Sequence, residues 1–266
     1  MQHFKYGNCD VVVAPTNEAL GAAAAEQFAG AVNKALGTRE EIAVVLAAQA
    51  ASQATFIQAI IERSDINWSR ITVFPVDEYL GIGGNNPVSG QWRTHENLIR
   101  HVKPKAFHPM RGDNEPVEEE LRRYTELLRE AKPSICVMGI GESGHLAFND
   151  PPADFETHDL VRVVALNDTT RNQILRSGRF PSFDAVPKFG ISLTMHALLL
   201  PETVMILVPE RSKAEIIHTI LDSPVSIMCP ASIIQTRKDA RLYLDEDSAS
   251  LVTNRQREAE LATSGE

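Results

Sequence analysis

At 266 residues the chain is long enough for one large α/β domain or two small ones. A content of 43% hydrophobic and 23% charged residues is that of an ordinary globular chain. The net charge of −9 excludes a basic stripe for a nucleic-acid backbone, and no apolar run approaches the ~18 residues of a membrane span. Three cysteines, Cys9, Cys136 and Cys229, are too few for a disulfide framework. Cys136 lies inside an apolar run and is expected in the core. The first residues are polar and aromatic, without a signal-peptide pattern, so a cytoplasmic protein is expected.

In chain order, residues 11–15 form a short strand or lead-in, and Asn17 opens an Ala-rich helix to about Leu36. Residues 42–47 are an apolar run expected as a buried parallel strand. A helix from about Ser52 to Arg63 follows, with Ser52 as its expected N-cap. Strand, short loop and helix N-terminus make a natural anion site, although no glycine occurs in this loop. Residues 71–76 form the third strand and run straight into Asp77 and Glu78. In extended backbone these adjacent carboxylates point to opposite faces, so only one faces a given cleft. Helices are expected at 89–101 and 116–131. The second is amphipathic, with Glu118, Glu119 and Glu120 early and Arg122 and Arg123 after, an order that suits the helix dipole on a solvated face. His95, His101 and His108 show no metal-ligand spacing.

The apolar run 135–138 is a buried strand that enters Gly139-Ile140-Gly141-Glu142-Ser143-Gly144-His145-Leu146-Ala147-Phe148-Asn149-Asp150-Pro151-Pro152. Three glycines there imply tight turning and close approach. They do not make a dinucleotide fingerprint, because prolines follow where the long helix should run. His145 sits at a strand end among hydroxyl and carboxylate groups able to orient it, and an imidazole moves protons near neutral pH. Alone, a histidine in a turn is more often a hydrogen-bonded loop residue. The second unusual segment, Asp77-Glu78 at another strand end, makes a shared cleft the better reading, since open α/β sheets bind ligands there. Further strands are expected at 160–166, 186–194, 204–208 and 242–245. Asn167 or Asp168 caps a helix carrying Thr169, Thr170 and Arg171, and 209–214 starts the helix that carries Lys213. The tail after about Thr253 is polar and is expected to fray or pack weakly. Strand and helix alternate six or seven times without a composition break or repeat. This predicts one domain over 1–266, a three-layer α/β/α sandwich with a mostly parallel, modified Rossmann-like sheet.

Phe74-Pro75-Val76-Asp77-Glu78-Tyr79-Leu80-Gly81, the Gly139–Pro151 stretch, Val186-Pro187-Lys188 and the Lys213 helix start resemble the glucosamine-6-phosphate deaminase (isomerase) family, which shares a fold with 6-phosphogluconolactonase. The resemblance runs from roughly residue 10 to 250, and the Ala147-Phe148-Asn149-Asp150-Pro151 continuation resembles the deaminase branch. It implies conversion of an amino-sugar 6-phosphate to fructose 6-phosphate and ammonia, by ring opening and proton transfer between C2 and C1, with no metal and no organic cofactor. It implies catalytic roles for Asp77 (C1–C2 base), His145 (ring-opening acid/base), Asp150 and Ser143. It implies substrate-binding roles for Ala50, Ser52, Gln53, Glu78, Gly144, Arg171 and Lys213, with Arg171 and Lys213 on the phosphate. Asp150 stands where the family commonly has Glu, and Ser143 where it commonly has Asp or Asn. Gln49-Ala50 stands where it usually has Thr-Gly or Gly-Gly, so the backbone cradle is expected to be narrower there and a left-handed conformation costly, by about 1 kcal/mol or more. The implied partner is a small-molecule sugar phosphate, with no nucleic acid and no membrane, and a homo-oligomer stays open. Other readings are an isomerase or lactonase for another phosphosugar, or a non-catalytic sugar-phosphate sensor.

Overall fold

A computed structural model of the protein describes residues 1–252; the polar tail from Thr253 lies outside them. In chain order the elements are β1 (Gln2–Tyr6), β2 (Cys9–Ala14), α1 (Asn17–Leu36), β3 (Ile42–Leu46), α2 (Ala54–Glu62), β4 (Ile71–Phe74) and β5 (Asp77–Tyr79). Then come α3 (Gly90–Thr94), a π turn (His95–Ile99), α4 (Arg100–Val102), β6 (Ala106–Phe107), α5 (Val117–Ala131) and β7 (Ile135–Met138). The last third holds β8 (Val161–Ala165), α6 (Asp168–Arg176), β9 (Phe189–Leu193), α7 (Met195–Leu199), β10 (Thr203–Val208), α8 (Ala214–Asp222) and β11 (Ala240–Asp245).

The large sheet has the order β1-β2-β11-β10-β7-β3-β4-β6. Only the β1–β2 pair in it is antiparallel. Its central strands are apolar on both faces, as a sheet covered on both sides requires. Val11, Val13, Val45, Cys136, Met138 and Ile206 pack into the core on one face. Their neighbours in sequence, Val12, Ala14, Val44, Leu46, Val137 and Leu207, pack into the core on the other. The alanines of α1 lie in that second core, beside Phe28 and the α2 residues Phe56 and Ile60. Small side chains allow this close approach of the two helices.

The structure redistributes two expected strands. Residues 161–165 and 189–193 are strands, but they do not extend the parallel sheet. They pair antiparallel with each other and with β5 in a separate sheet of order β5-β9-β8. Strand alternation in sequence reports a half-buried ribbon and not its partner. Residues 166–188, between β8 and β9, carry α6, and the two strands nevertheless pair antiparallel. The edge strands β1 and β6 were not anticipated; both are short and partly exposed, so their apolar pattern is weak. Ser52 caps no helix: residues 51–53 form a 3-10 turn, and the N-cap of α2 is Gln53, without a side-chain cap bond. Asn167 caps α6 by accepting from the Thr170 N–H. Among the described residues no helix is long and apolar enough to cross a membrane.

Candidate active site

Four parallel strands, β3, β4, β7 and β10, end on one edge of the large sheet, and the segments that leave them line a single cleft of about 330 Å³. Asp77, Gln49, Ser52, Gly141, His145 and Lys213 all face it. That volume suits one small ligand.

Asp77 opens β5, which is hydrogen bonded to β9 at Ser192. This pairing turns its carboxylate into the cleft, where Gln49 Nε2 donates to Oδ1 at 2.8 Å. Burial pushes the carboxyl up to about 6; the Gln49 hydrogen bond and the charges of His145 and Arg179 pull against it. A carboxylate near pKa 6 is poised to take and return a proton at neutral pH. Glu78 points the other way, as alternation requires. Its Oε1 accepts from the Tyr79 and Gly90 N–H groups, both at 2.8 Å, and its Oε2 from the Gln91 N–H at 2.7 Å. Burial pushes it up to about 7 against those three donors. Glu78 touches the rim of the cleft, but its oxygens are taken up by backbone, so its first role is to anchor the start of α3 beside Asp77.

His145 is held from behind. Its Nδ1 lies 2.8 Å from Ser143 Oγ, 2.9 Å from Thr170 Oγ1 and 3.1 Å from Asp150 Oδ1. The two hydroxyls also donate to Asp150 Oδ1, at 2.7 Å and 2.6 Å. Each hydroxyl has one proton, and the carboxylate is the stronger acceptor, so both are spent on Asp150. Nδ1 therefore carries the ring proton, and Nε2 presents its lone pair to the cleft. Burial raises Asp150, but the bonds from His145 and Thr170 and the Asn167 N–H outweigh it and hold the carboxyl below its ordinary value. Ser143 thus adds no charge of its own; it hands a proton to the charge that Asp150 supplies.

Gly141 makes room for the ring: a Cβ there would lie 2.0 Å from His145 Nε2. Gly141→Ala must push the imidazole out of place. We expect turnover to fall by about a hundredfold or more while the near-UV circular dichroism stays native; unchanged turnover would refute the ring position. Gly144 has φ +81°, serves the turn behind His145 and does not line the cleft.

At the opposite end lies Lys213. It is 5% exposed, and among the described residues its Nζ has no hydrogen-bond partner. Burial lowers its pKa, against the pull of Glu142 and Glu210. The turn that carries it begins at Glu210, whose φ of 86° is costly for a non-glycine residue. Both oxygens of Asp245 accept from the Glu210 N–H and hold it there. Arg176 reaches the same end and forms an ion pair with Glu142.

Arg171 is not at the site. It is buried over the Phe183 ring, 3.9 Å from its centroid, and its Nη2 donates to the Phe183 and Val186 carbonyls. Thr170, Gln173, Ile174 and Ser177 form the cleft-facing stripe of α6, and Arg171 lies about 100° around the helix from it. Arg171→Gln should therefore lower unfolding free energy by about 1–3 kcal/mol and leave KM within about twofold. A large rise in KM without loss of stability would reverse this placement. Gln53 is also structural: its Nε2 donates to the Leu207 carbonyl at 3.0 Å, and it does not line the cleft. Ala50 does line it, with φ −82° and ψ 131°, so the expected left-handed strain does not arise. The 3-10 turn leaves the N–H groups of Ala51 and Ser52 without partners inside the turn, on the cleft side.

Sequence reasoning did not single out Thr170, Arg93, Arg176, Arg179 or Glu142 as site residues. The stripe 170-173-174-177 was readable once 167 was taken as the cap. Nothing local distinguishes Arg176 or Arg179 from any surface arginine.

Carboxylate, oriented imidazole and free ammonium in one cleft, at the carboxyl ends of a parallel sheet, define an acid–base enzyme. The model of the family described as glucosamine-6-phosphate isomerases/6-phosphogluconolactonase matches residues 15–243, and the chain belongs to that family. Glucosamine-6-phosphate deaminase 1 of Bacillus subtilis is 28% identical over 193 residues, covering 71% of this chain and 78% of that protein. A second deaminase of the same organism is 29% identical over 194 residues, covering 71% of this chain and 76% of its own length. Among solved structures, a monomeric glucosamine-6-phosphate deaminase superposes with a TM-score of 0.83 at 27% identity, over 91% of this chain and 99% of that one. The 6-phosphogluconolactonase of Thermotoga maritima superposes with a TM-score of 0.68 at 20% identity, over 88% and 98%, a likeness of fold alone.

Proposed function

We propose that the protein is an amino-sugar-6-phosphate deaminase that converts glucosamine 6-phosphate, or a close hexosamine phosphate, to fructose 6-phosphate and ammonia. The observation that carries this reading is the buried, unpartnered Lys213 ammonium in the cleft that also holds Asp77 and His145. An anion at Lys213, assisted by Arg176 and the Ala51 and Ser52 N–H groups, fixes one end of a sugar. The other end then lies between Asp77 and His145. His145 Nε2 takes the C1 hydroxyl proton and delivers a proton to the ring oxygen, which opens the ring. The Asp150 charge stabilises the imidazolium formed in between. Asp77 takes the C2 proton and returns it to C1, and the C1 oxygen gains the proton that the C2 ammonium gives up. The iminium left at C2 adds water and releases ammonia.

Every group in this scheme comes from one chain, so a single subunit is sufficient. A doubly charged sugar phosphate does not cross a bilayer unaided, and we place the reaction in the cytoplasm. Ammonia release from glucosamine 6-phosphate, with galactosamine 6-phosphate and unphosphorylated glucosamine alongside, is the direct test. Release from one phosphorylated sugar supports the reading and decides the epimer. No release from any of the three, with the protein folded, overturns it.

A further inference from the structure

Two more cations line the cleft at the Asp77 end, away from Lys213: Arg93 of α3, and Arg179 in the segment after α6. Both are half-buried. Arg93 Nε donates to the Gln49 main-chain carbonyl at 3.1 Å, and Arg179 Nη2 reaches the same oxygen at 3.5 Å. Arg179 Nη1 also donates to Tyr79 Oη at 3.3 Å. Tyr79 stands two residues beyond Asp77 in β5, so the two side chains leave the same face of the strand. The Arg179 charge is accordingly one of those that bear on Asp77. Among the described residues, neither guanidinium has a carboxylate oxygen within ion-pair distance. These contacts leave N–H groups unspent on residues that line the cleft.

Taking a proton from C2 of the open-chain sugar needs more than a base. As the C2–H bond breaks, its electron pair forms the C1–C2 double bond, and a pair from the C1 carbonyl moves onto the oxygen. A positioned donor stabilises that charge. The groups around His145 do not supply one. The Ser143 and Thr170 hydroxyl protons are spent on Asp150, and Nε2 presents a lone pair. The lone pair that opens the ring therefore repels the carbonyl oxygen that opening creates. Rotation about C1–C2, free once the ring is open, turns that oxygen away. Lys213 and Arg176 lie at the phosphate end. At the Asp77 end the donors are the two guanidiniums and the Gln49 amide, which is neutral and already holds Asp77. A charged donor makes the stronger bond to a developing oxyanion.

We propose that Arg179 is a further catalytic residue of this cleft, donating to the C1 oxygen of the open-chain sugar while Asp77 takes the C2 proton. The proposal rests on the deaminase reading above. Arg179 keeps its own protons throughout. The C2 proton goes to Asp77, the charge goes to the C1 oxygen, and that oxygen then takes the proton of the C2 ammonium, so no co-reactant is needed. Arg93 holds the shared Gln49 carbonyl more closely and touches no side chain of β5, which leaves Arg179 the freer of the two to turn to a new acceptor.

Steady-state kinetics of the full chain against pH, with the phosphorylated amino sugar that releases ammonia, test this. Arg179→Gln should lower the upper plateau of kcat about a hundredfold or more and leave KM within about threefold, because Lys213 and Arg176 still hold the phosphate. With the same sugar deuterated at C2, the isotope effect on kcat should be at least as large in the variant as in the native chain, since the lost contact acts on C2–H cleavage. Arg179→Lys keeps a charge without the fork, so its plateau should lie between the two; it carries the same isotope test if the Gln variant does not fold. A group that merely tunes Asp77 would shift the acid limb and let the plateau return at higher pH. That recovery, a plateau within about threefold of native, a smaller isotope effect, or a larger loss in Arg93→Gln than in Arg179→Gln overturns the role of Arg179 and leaves the deaminase reading intact. Absence of ammonia release by the native chain from any phosphorylated amino sugar removes that reading and this inference together.

Discussion

The Asp77→Asn protein releases ammonia at least about a thousandfold more slowly than the native chain, within the range expected for loss of a general base. It still binds a phosphorylated competitive inhibitor, because Lys213 and Arg176 are untouched. In the native chain kcat/KM rises with pH through about 6, where the buried carboxyl gives up its proton, and then levels. Gln49→Leu removes the largest influence that lowers this pKa, so the rise moves to higher pH. Stability runs the opposite way. The carboxyl of the unfolded chain titrates near its ordinary 3.8, below the folded value of about 6. Between these values the native state holds a proton that the unfolded state has lost, so stability falls as pH rises from about 4 to about 6. Above that window the ionised carboxylate costs about 3 kcal/mol. Asn carries no such charge. The advantage of the variant in unfolding free energy should therefore grow across the window and stay constant above it. Denaturant titrations at pH 4, 5, 6 and 8 measure this, and the comparison with native protein cancels the similar trend from Glu78. Native turnover in the variant, or a native profile flat between pH 5 and 7, would remove Asp77 from the base role.

Replacing Lys213 by Met has two effects of opposite sign. KM for the phosphorylated sugar rises about a hundredfold, because a charge-assisted contact to a desolvated anion is lost. The ligand-free protein becomes more stable, by about 1–2 kcal/mol, because a buried ammonium with no partner gives way to an apolar chain of similar length. Inorganic phosphate in the millimolar range raises the melting temperature of the native chain by binding the folded state only and leaves that of Lys213→Met unchanged. If the variant is less stable and its KM is native, Lys213 is a structural residue.

The parts of this molecule legible in its sequence are those with a local cause. The parallel core was readable because β3, β7 and β10 are continuous apolar runs, and α5 because its charges order themselves along the helix. The Asp77 and His145 segments were readable because polar groups crowd where such strands end. What escaped notice depends on contacts between distant segments. Residues 161–165 and 189–193 read as strands, but nothing in them says that they pair with Asp77–Tyr79 and not with the large sheet. Arg171 and Arg176 look alike in sequence, and only the orientation of α6 puts one over Phe183 and the other beside Glu142. Thr170 was visible as a helix residue, while its part in the His145 cradle needed the turn at Asp150. The missing glycines at Gln49 and Ala50 suggested a strained loop; the backbone instead takes an extended conformation at Ala50 and turns the Gln49 carbonyl toward the two arginines.

The small sheet has a bearing on how the protein comes to life. Asp77 is held by Ser192, far along the chain, while Gln49 and the His145 turn belong to contiguous strand-and-helix units of the large sheet. Pairings that close long loops form late and slowly, whereas local units assemble early. A chain emerging from synthesis can therefore complete its binding cradle for Lys213 and His145 only after residue 213, and it gains its base when the ribbon 161–193 closes onto β5. Recovery of enzymatic power in a refolding experiment thus trails recovery of helical signal, and a protease that nicks the exposed connection before β9 silences the chemistry with most of the large sheet still standing.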